Sequence, residues 1–231
     1  MVNLKTFCQY FFTYGGYKDY LKGLSNTAII AVFGLLIGCL IGCLIAVVKI
    51  IPNKKSVPLR ILEKICDGYV ALFRGTPMVV QLLLMHFALF PALGLDINSV
   101  AEAVIIFGLN SGAYMAEILR GGINAVDGGQ MEAGRSLGFG FAETMFRIIL
   151  PQAIKNILPT LGNEFIALLK ETSVVSFIAV VDVTKALQSI SDATLETFVP
   201  YIVLALTYLV IVLGITQLIK IMEKRLAKNE R

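Results

Sequence analysis

Residues 24–48 read LSNTAIIAVFGLLIGCLIGCLIAVV and carry no charged side chain. Wound as a helix at 1.5 Å per residue, the stretch is about 37 Å long, enough to cross a bilayer with some tilt. In lipid every backbone N–H and C=O must find its partner inside the protein, so the run reads as a membrane helix. Gly34, Gly38 and Gly42 recur every four residues within it. They lie on one face and form a smooth stripe that another helix can approach closely, which is helix packing rather than chemistry.

The rest of the chain has the same character. Of 231 residues, 57 % are hydrophobic and 16 % charged, against about 25 % charged in soluble domains. Mean hydropathy is +0.79. Disorder and a water-soluble globule are excluded, and the fold class is an all-α polytopic membrane protein. Residues 75–95 and 197–219 are two more uncharged runs. Residues 97–119 hold Asn110, Glu102 and Glu117, and residues 148–169 hold Lys155, Glu164 and two prolines. Both have spanning length, and polar groups inside a bundle often mark its functional path. Thr172 to Val181 is too short to span and reads as a re-entrant or interfacial piece. The count is five spans, at 24–48, 75–95, 97–119, 148–169 and 197–219.

Charge placement orients these spans. Lys49, Lys54, Lys55 and Arg60 follow the first, and Arg120, Arg135 and Arg147 follow the third. Lys220, Lys224, Arg225, Lys228 and Arg231 follow the fifth, whereas Pro91 to Asn98 has neither Lys nor Arg. The N-terminus is expected outside and the C-terminus inside, although Lys5, Lys18 and Lys22 oppose the trend. Residues 1–23 form an aromatic, external or interfacial segment without the pattern of a signal peptide. Residues 24–220 form the transmembrane domain, with a cytoplasmic loop at 120–147, and residues 221–231 a basic cytoplasmic tail.

No catalytic machinery is legible. The sequence lacks a phosphate-binding G-x-x-x-x-G-K-[ST] loop, G-x-S-x-G and H-E-x-x-H, so the protein is expected to move a solute rather than transform one. Cys8, Cys39, Cys43 and Cys66 form no C-x-x-C, and His86 is the sole histidine. No metal site and no nucleic-acid partner are expected.

Loop 120–147 is the most unusual stretch: RGGINAVDGGQMEAGRSLGFGFAETMFR. Asp127 and Gln130 have capping-box spacing, and Gly138 can stop a short helix. A short helix hung beneath the membrane between glycines suits docking into a groove on a soluble partner. Glu132-Ala133-Gly134, three residues, Gly138, nine residues, Ile148, one residue, and Leu150-Pro151 follow. That spacing resembles the EAA loop of ABC-importer permeases, with Gly134 where the pattern has its second alanine. A glycine there is expected to leave docking intact on a floppier helix. RGTPMVVQ (74–81), SGAYMAEILRGGI (111–123), GQMEAGRSLG (129–138), LPQA (150–153) and KETSVVS (170–176) are similar to the polar amino acid subfamily.

This resemblance implies the five-span core of a type I ABC importer permease in a bacterial cytoplasmic membrane. A second permease chain, identical or different, would complete the pathway. Two cytoplasmic ATPase subunits, with ATP and Mg on those chains and no cofactor on this one, would dock on the EAA helices. An extracytoplasmic binding protein would deliver a polar amino acid, moved inward by alternating access. Coupling would fall to Glu132, Ala133, Gly134, Arg135 and Gly138. For the substrate path the candidates are Asn163, Glu164, Lys170, Glu171 and Ser173, then Asn110 and Glu117, because a zwitterion in a low-dielectric region needs opposed charges and hydrogen-bond partners. Lys170 can instead pair with a neighbouring glutamate, Glu117 with Arg120, and Arg74 can serve as a headgroup anchor. The alternative function is an ion-coupled secondary transporter or channel working without an ATPase.

Overall fold

The computed structural model describes residues 4–51 and 56–228, and every regular element among them is helical. Lys54, Lys55 and Arg231 lie outside the described residues. A short helix, α1 (Leu4–Cys8), runs through a π-helical turn to Thr13. Gly15, at φ +85°, turns the chain into α2 (Gly16–Ile50). This helix opens well before Leu24, so the N-terminal segment is itself largely helical.

α3 (Val57–Gly75) carries Pro58 in its first turn, where the missing N–H costs nothing. Its apolar side chains are interspersed with Arg60, Glu63, Lys64 and Asp67, so no hydrophobic run announces it. Cys66 and Val70 are buried, whereas Ile61, Ile65 and Leu72 are exposed. Pro77 disfavours helix at the residue before it, and Thr76 is extended. The chain therefore breaks there, and α4 (Met78–Leu84) sets off at 107° to α3. A π-helical turn joins α4 to α5 (Phe90–Ala92). The run expected over 75–95 is thus a helix of residues 78–92 preceded by a sharp bend.

α6 (Ser99–Asn124) is capped by Asn98, whose side chain accepts the Val100 N–H at 2.8 Å. α7 (Gly129–Ser136) and α8 (Phe141–Thr144) lie in the following loop. A π-helical turn leads to α9 (Leu150–Glu171), with Pro151 in its first turn and Pro159 inside. A 3₁₀ segment, Thr172–Ile178, fills the stretch too short to span. α10 (Val183–Thr194) and α11 (Phe198–Lys228) complete the fold. The helix of α11 runs into the basic tail without a break.

Among the described residues, three helices are long and apolar enough to cross a membrane: Gly16–Ile50, Ser99–Asn124 and Phe198–Arg225. A fourth crossing arises if the bent α3–α4 pair counts as one span. α9 has the length, but Lys155, Asn156, Asn163 and Glu164 keep its hydropathy low. Only 11 % of the apolar stretch of α11 is buried, which sets that helix at the rim.

The centre is the α2–α6 contact. In lipid, van der Waals packing between close backbones replaces the hydrophobic drive. A Cβ added at Gly38 would lie 2.6 Å from the Ser111 hydroxyl, and one at Gly42 2.5 Å from the Met115 Cβ. α6 answers with glycines of its own: a Cβ at Gly108 would meet Ile37 at 2.5 Å and one at Gly112 would meet Ile41 at 2.8 Å. Each helix thus receives a side chain of the other. Around this seam Ile30, Leu82, Phe107, Leu168 and Val175 form one core, and Ile45, Cys66, Val70 and Ala116 another. A third joins Phe7 of α1 to α10 and Val199 of α11.

Gly42→Ala is expected to cost about 1–3 kcal/mol by overpacking, read as a lower Tm of the purified protein. Gly68→Ala, on α3 with nothing within 4 Å of its added Cβ, should be neutral or gain up to about 1 kcal/mol from helix propensity. Equal effects of the two would contradict the glycine seam.

Candidate coupling helix and polar path

α7 is held by its ends and by one contact. Before it, the Asp127 carboxylate accepts the Gly129 N–H at 2.8 Å. After it, Gly138 sits at φ +88°, a conformation that suits glycine. The Phe139 N–H returns to the Gly134 carbonyl at 3.1 Å and the Gly138 N–H to that of Arg135 at 3.0 Å. These two bonds make a Schellman stop that fixes where the helix ends. Between the ends, Gly134 is buried on Thr144 of α8, where an added Cβ would lie 2.5 Å from Cγ2. Gly134 was expected to loosen the helix, but here it lets α7 lie flush against α8. Glu132, Ala133 and Arg135 face outward, and Leu137 is 76 % exposed. Neither the Glu132 carboxylate nor the Arg135 guanidinium forms an ion pair among the described residues.

At the same end of α6, charges from three helices converge. Glu117 meets Arg120 at 2.6 Å, Lys49 of α2 at 3.3 Å and Arg74 of α3 at 3.9 Å. Lys49 also meets Asp67 of α3 at 2.9 Å. Arg74 lies over the Tyr114 ring, 5.5 Å from its centroid, a cation–π contact. Glu117 pairs with Arg120 as its spacing suggests, and it also ties α2 and α3 to α6.

Asn110 has a separate place, at the α3–α4 break. The Gln81 amide donates to the Phe73 carbonyl at 2.8 Å and to the Thr76 carbonyl at 3.0 Å. Its oxygen accepts from Asn110 at 2.9 Å. Gln81 and Asn110, both buried, replace the partners that backbone carbonyls lose where the helix stops.

The remaining path residues gather on α9 and just beyond it. The helix is continuous to Glu171, so Glu164 and Glu171, two turns apart, share a face. Glu164 is half-buried, with Cys39 of α2 and Ser111 of α6 beside it and Glu171 and Arg74 within electrostatic reach. Asn163, Lys170 and Glu171 are exposed, and Ser173 is half-buried. Gln152, Asn156, Thr160 and Asn163 are all exposed, and their spacing places them on one side of α9. A membrane helix with a polar stripe facing out of its own subunit is not built to face lipid. Two cavities, of about 320 and about 530 Å³, are lined almost wholly by apolar side chains such as Leu35, Phe165, Val47 and Phe146, so neither suits a zwitterion.

A pair outside the expected set is His86 with Glu102. Its nitrogen and oxygen are 2.5 Å apart, and Glu102 is 6 % exposed. The signal in the sequence is the sole histidine in one apolar run and a glutamate in another, each needing a partner once buried.

Gly134→Ala should push α7 off α8 and cost about 1–3 kcal/mol of local stability, seen as faster proteolysis after Arg135. Thr144→Ala in the same chain should restore protection. A fully protected Gly134→Ala single variant would contradict the contact.

Comparison with known proteins fits this geometry. Residues 34–228 match the family profile of the binding-protein-dependent transport system inner membrane component. The arginine transport system permease ArtQ of Bacillus subtilis is 39 % identical over 91 % of this chain and 93 % of its own. A Rickettsia bellii chain named for glutamine transport, GlnP, is 40 % identical over 88 % of each. A solved chain of an amino acid ABC transporter with histidines superposes with a TM-score of 0.85 at 39 % identity, covering 97 % of this chain and 99 % of that one. A chain of the methionine ABC transporter MetNI shares the fold, with a TM-score of 0.62 at 18 % identity. With its seam of glycines, bent second segment and suspended α7, this chain belongs to the family of inner-membrane components of binding-protein-dependent transport systems, the permease subunits of ABC importers.

Proposed function

We propose that this permease moves a polar amino acid inward by alternating access, driven by ATP hydrolysed with Mg on two separate cytoplasmic chains. An extracytoplasmic binding protein supplies the solute. The observation that carries the reading is α7: a short helix fixed at both ends, with Glu132, Ala133, Arg135 and Leu137 turned outward. A groove on an ATPase would accept Leu137 and Ala133, while Glu132 and Arg135 supply charge at its edge.

The polar class of solute is supported by relatives named for arginine, glutamine and cystine transport. It is also supported by the chemistry of α9. A carboxylate pair, Glu164 and Glu171, suits an amino group or a cationic side chain, and Asn163 and Ser173 add neutral hydrogen-bond partners. Lys170 suits a carboxylate. The outward polar stripe of α9 asks for a second permease chain across the pathway, so that neither side of the solute meets lipid. Lys49, Arg120, Arg147 and Lys220 belong in the cytoplasm by the positive-inside rule, which puts the N-terminus outside a bacterial inner membrane.

The test is reconstitution in liposomes with the ATPase chains, following ATP hydrolysis and uptake for a panel of amino acids. Binding protein loaded with the cognate amino acid should raise hydrolysis, and Glu132→Lys should abolish that rise. Glu164→Gln should raise the half-saturating concentration about 10-fold or more, the worth of a lost charge-assisted hydrogen bond. Uptake that runs equally well without nucleotide would overturn the reading in favour of ion-coupled transport.

A further inference from the structure

The larger of the two apolar cavities, about 530 Å³, lies on the side of α9 away from its polar stripe. The α9 residues that line it are Ile154, Ile157, Leu158 and Leu161, with Leu150 at the helix start. At about 3.6 residues per turn these fall opposite Gln152, Asn156, Thr160 and Asn163. The facing wall is α2, from Cys43 to Ile51. That is about 12 Å of helix, against about 15 Å of hydrocarbon in one leaflet. Phe141 and Ala142 of α8 and Phe146 of the next turn close one end. Among the described residues, no side chain lining this cavity is charged. The smaller cavity adjoins it, since Leu158 and Leu161 line both.

Val47, Phe146 and Ile154 are exposed, so the cavity is a groove open to the outside of the subunit. A second permease chain seated on the polar stripe of α9 covers the opposite side. What meets an apolar groove between membrane helices is hydrocarbon. Lipid tails are as apolar as leucine, so no hydrophobic drive fills the groove. An empty groove, however, forfeits dispersion contacts along its whole wall, and an acyl chain lying lengthwise recovers them. The mouth of the groove is basic. Arg147 directly follows Phe146, Lys155 directly follows Ile154, and both are exposed. The Arg147 pair with Glu143 is 3.4 Å long and exposed on both sides, a weak surface pair. A guanidinium has five N–H donors, so that pair leaves donors for a phosphate.

We propose that this groove holds an acyl chain of a cytoplasmic-leaflet phospholipid, with the lipid phosphate at Arg147, and that the bound lipid supports α8. The leaflet rests on the orientation proposed above. α8 stands between the groove and α7: Phe141 and Ala142 line the groove, while Thr144 is the residue against which Gly134 of α7 packs. A chain in the groove keeps α8 from giving way, and so keeps α7 where an ATPase would press on it. The lipid is then a fixed part of the coupling loop rather than exchanging solvent.

The test is to purify the full chain, exchange it into lipid-free detergent and count retained lipid by mass spectrometry. Wild type should keep a phospholipid on each chain. Cys43→Trp, which fills the groove from an exposed position on α2, should lose it. Leu40→Trp, exposed on the same helix but outside the lining, should keep it. Arg147→Gln should speed its loss about 10-fold, the worth of a charge-assisted hydrogen bond. Equal retention in wild type and Cys43→Trp overturns the site, as does equal loss in Leu40→Trp. Retention untouched by Arg147→Gln overturns the phosphate contact. Stripping the lipid should also speed proteolysis after Arg135, and adding back phosphatidylethanolamine with phosphatidylglycerol should restore protection; unchanged cleavage overturns the support of α8. An experimental map of the wild-type complex in a lipid nanodisc is independent of the variants. Elongated density along the groove, ending at Arg147, supports the site. A protein helix there, or an empty groove, overturns it. These readouts use no nucleotide, so they stand if uptake proves independent of ATP. ATP-driven uptake by a chain that retains no lipid overturns the lipid site alone.

Discussion

The approach of α2 to α6 governs the rest of the structure. With Gly34, Gly38 and Gly42 on one helix and Gly108 and Gly112 on the other, the backbones come together over three turns. Lipid supplies no hydrophobic drive for such a contact, so its strength lies in close packing alone. The consequence is directional. α6 cannot shift without carrying α2, and α6 leads straight into the loop that holds α7. Gly122, where an added Cβ would lie 2.2 Å from Ile157, extends the same device to α9.

Polar groups divide into those whose bonds close inside the subunit and those left facing out. Gln81 and Asn110 satisfy the carbonyls freed at the Thr76–Pro77 break, Glu102 holds His86, and Glu117 gathers Lys49, Arg74 and Arg120. In a bilayer each of these is too costly to leave unmade. The outward-facing groups are Glu132 and Arg135 on α7 and the stripe from Gln152 to Asn163 on α9. A membrane protein that pairs these charges and amides inside, yet turns a polar helix face outward, expects partners there. On that contrast we propose α7 for coupling and α9 for the pathway.

Much of this was legible in the sequence because membrane helices are long and their signals strong. The apolar runs located α2, α6 and α11, and the four-residue glycine spacing located the seam. Gly138 announced the end of α7, since a left-handed stop there suits glycine. α3 escaped because its buried residues are few and lie among charges. Gly134 reads from sequence as a loose point, and only the position of Thr144 reveals it as a contact. Asn110 and Glu117 stand out as polar residues in an apolar run, but their partners, Gln81, Lys49 and Arg74, lie on other helices. Such pairings are set by helix packing and leave no local trace.

The most direct test of the account is a photo-crosslinking residue at position 137, on the outward side of the Schellman stop, in native membranes. The account predicts a single covalent product between this chain and an ATPase that carries a phosphate-binding G-x-x-x-x-G-K-[ST] loop, identified by mass spectrometry, and its loss in the Glu132→Lys background. Crosslinks to lipid alone, or a probe that stays water-exposed and unreacted while transport proceeds, would contradict it.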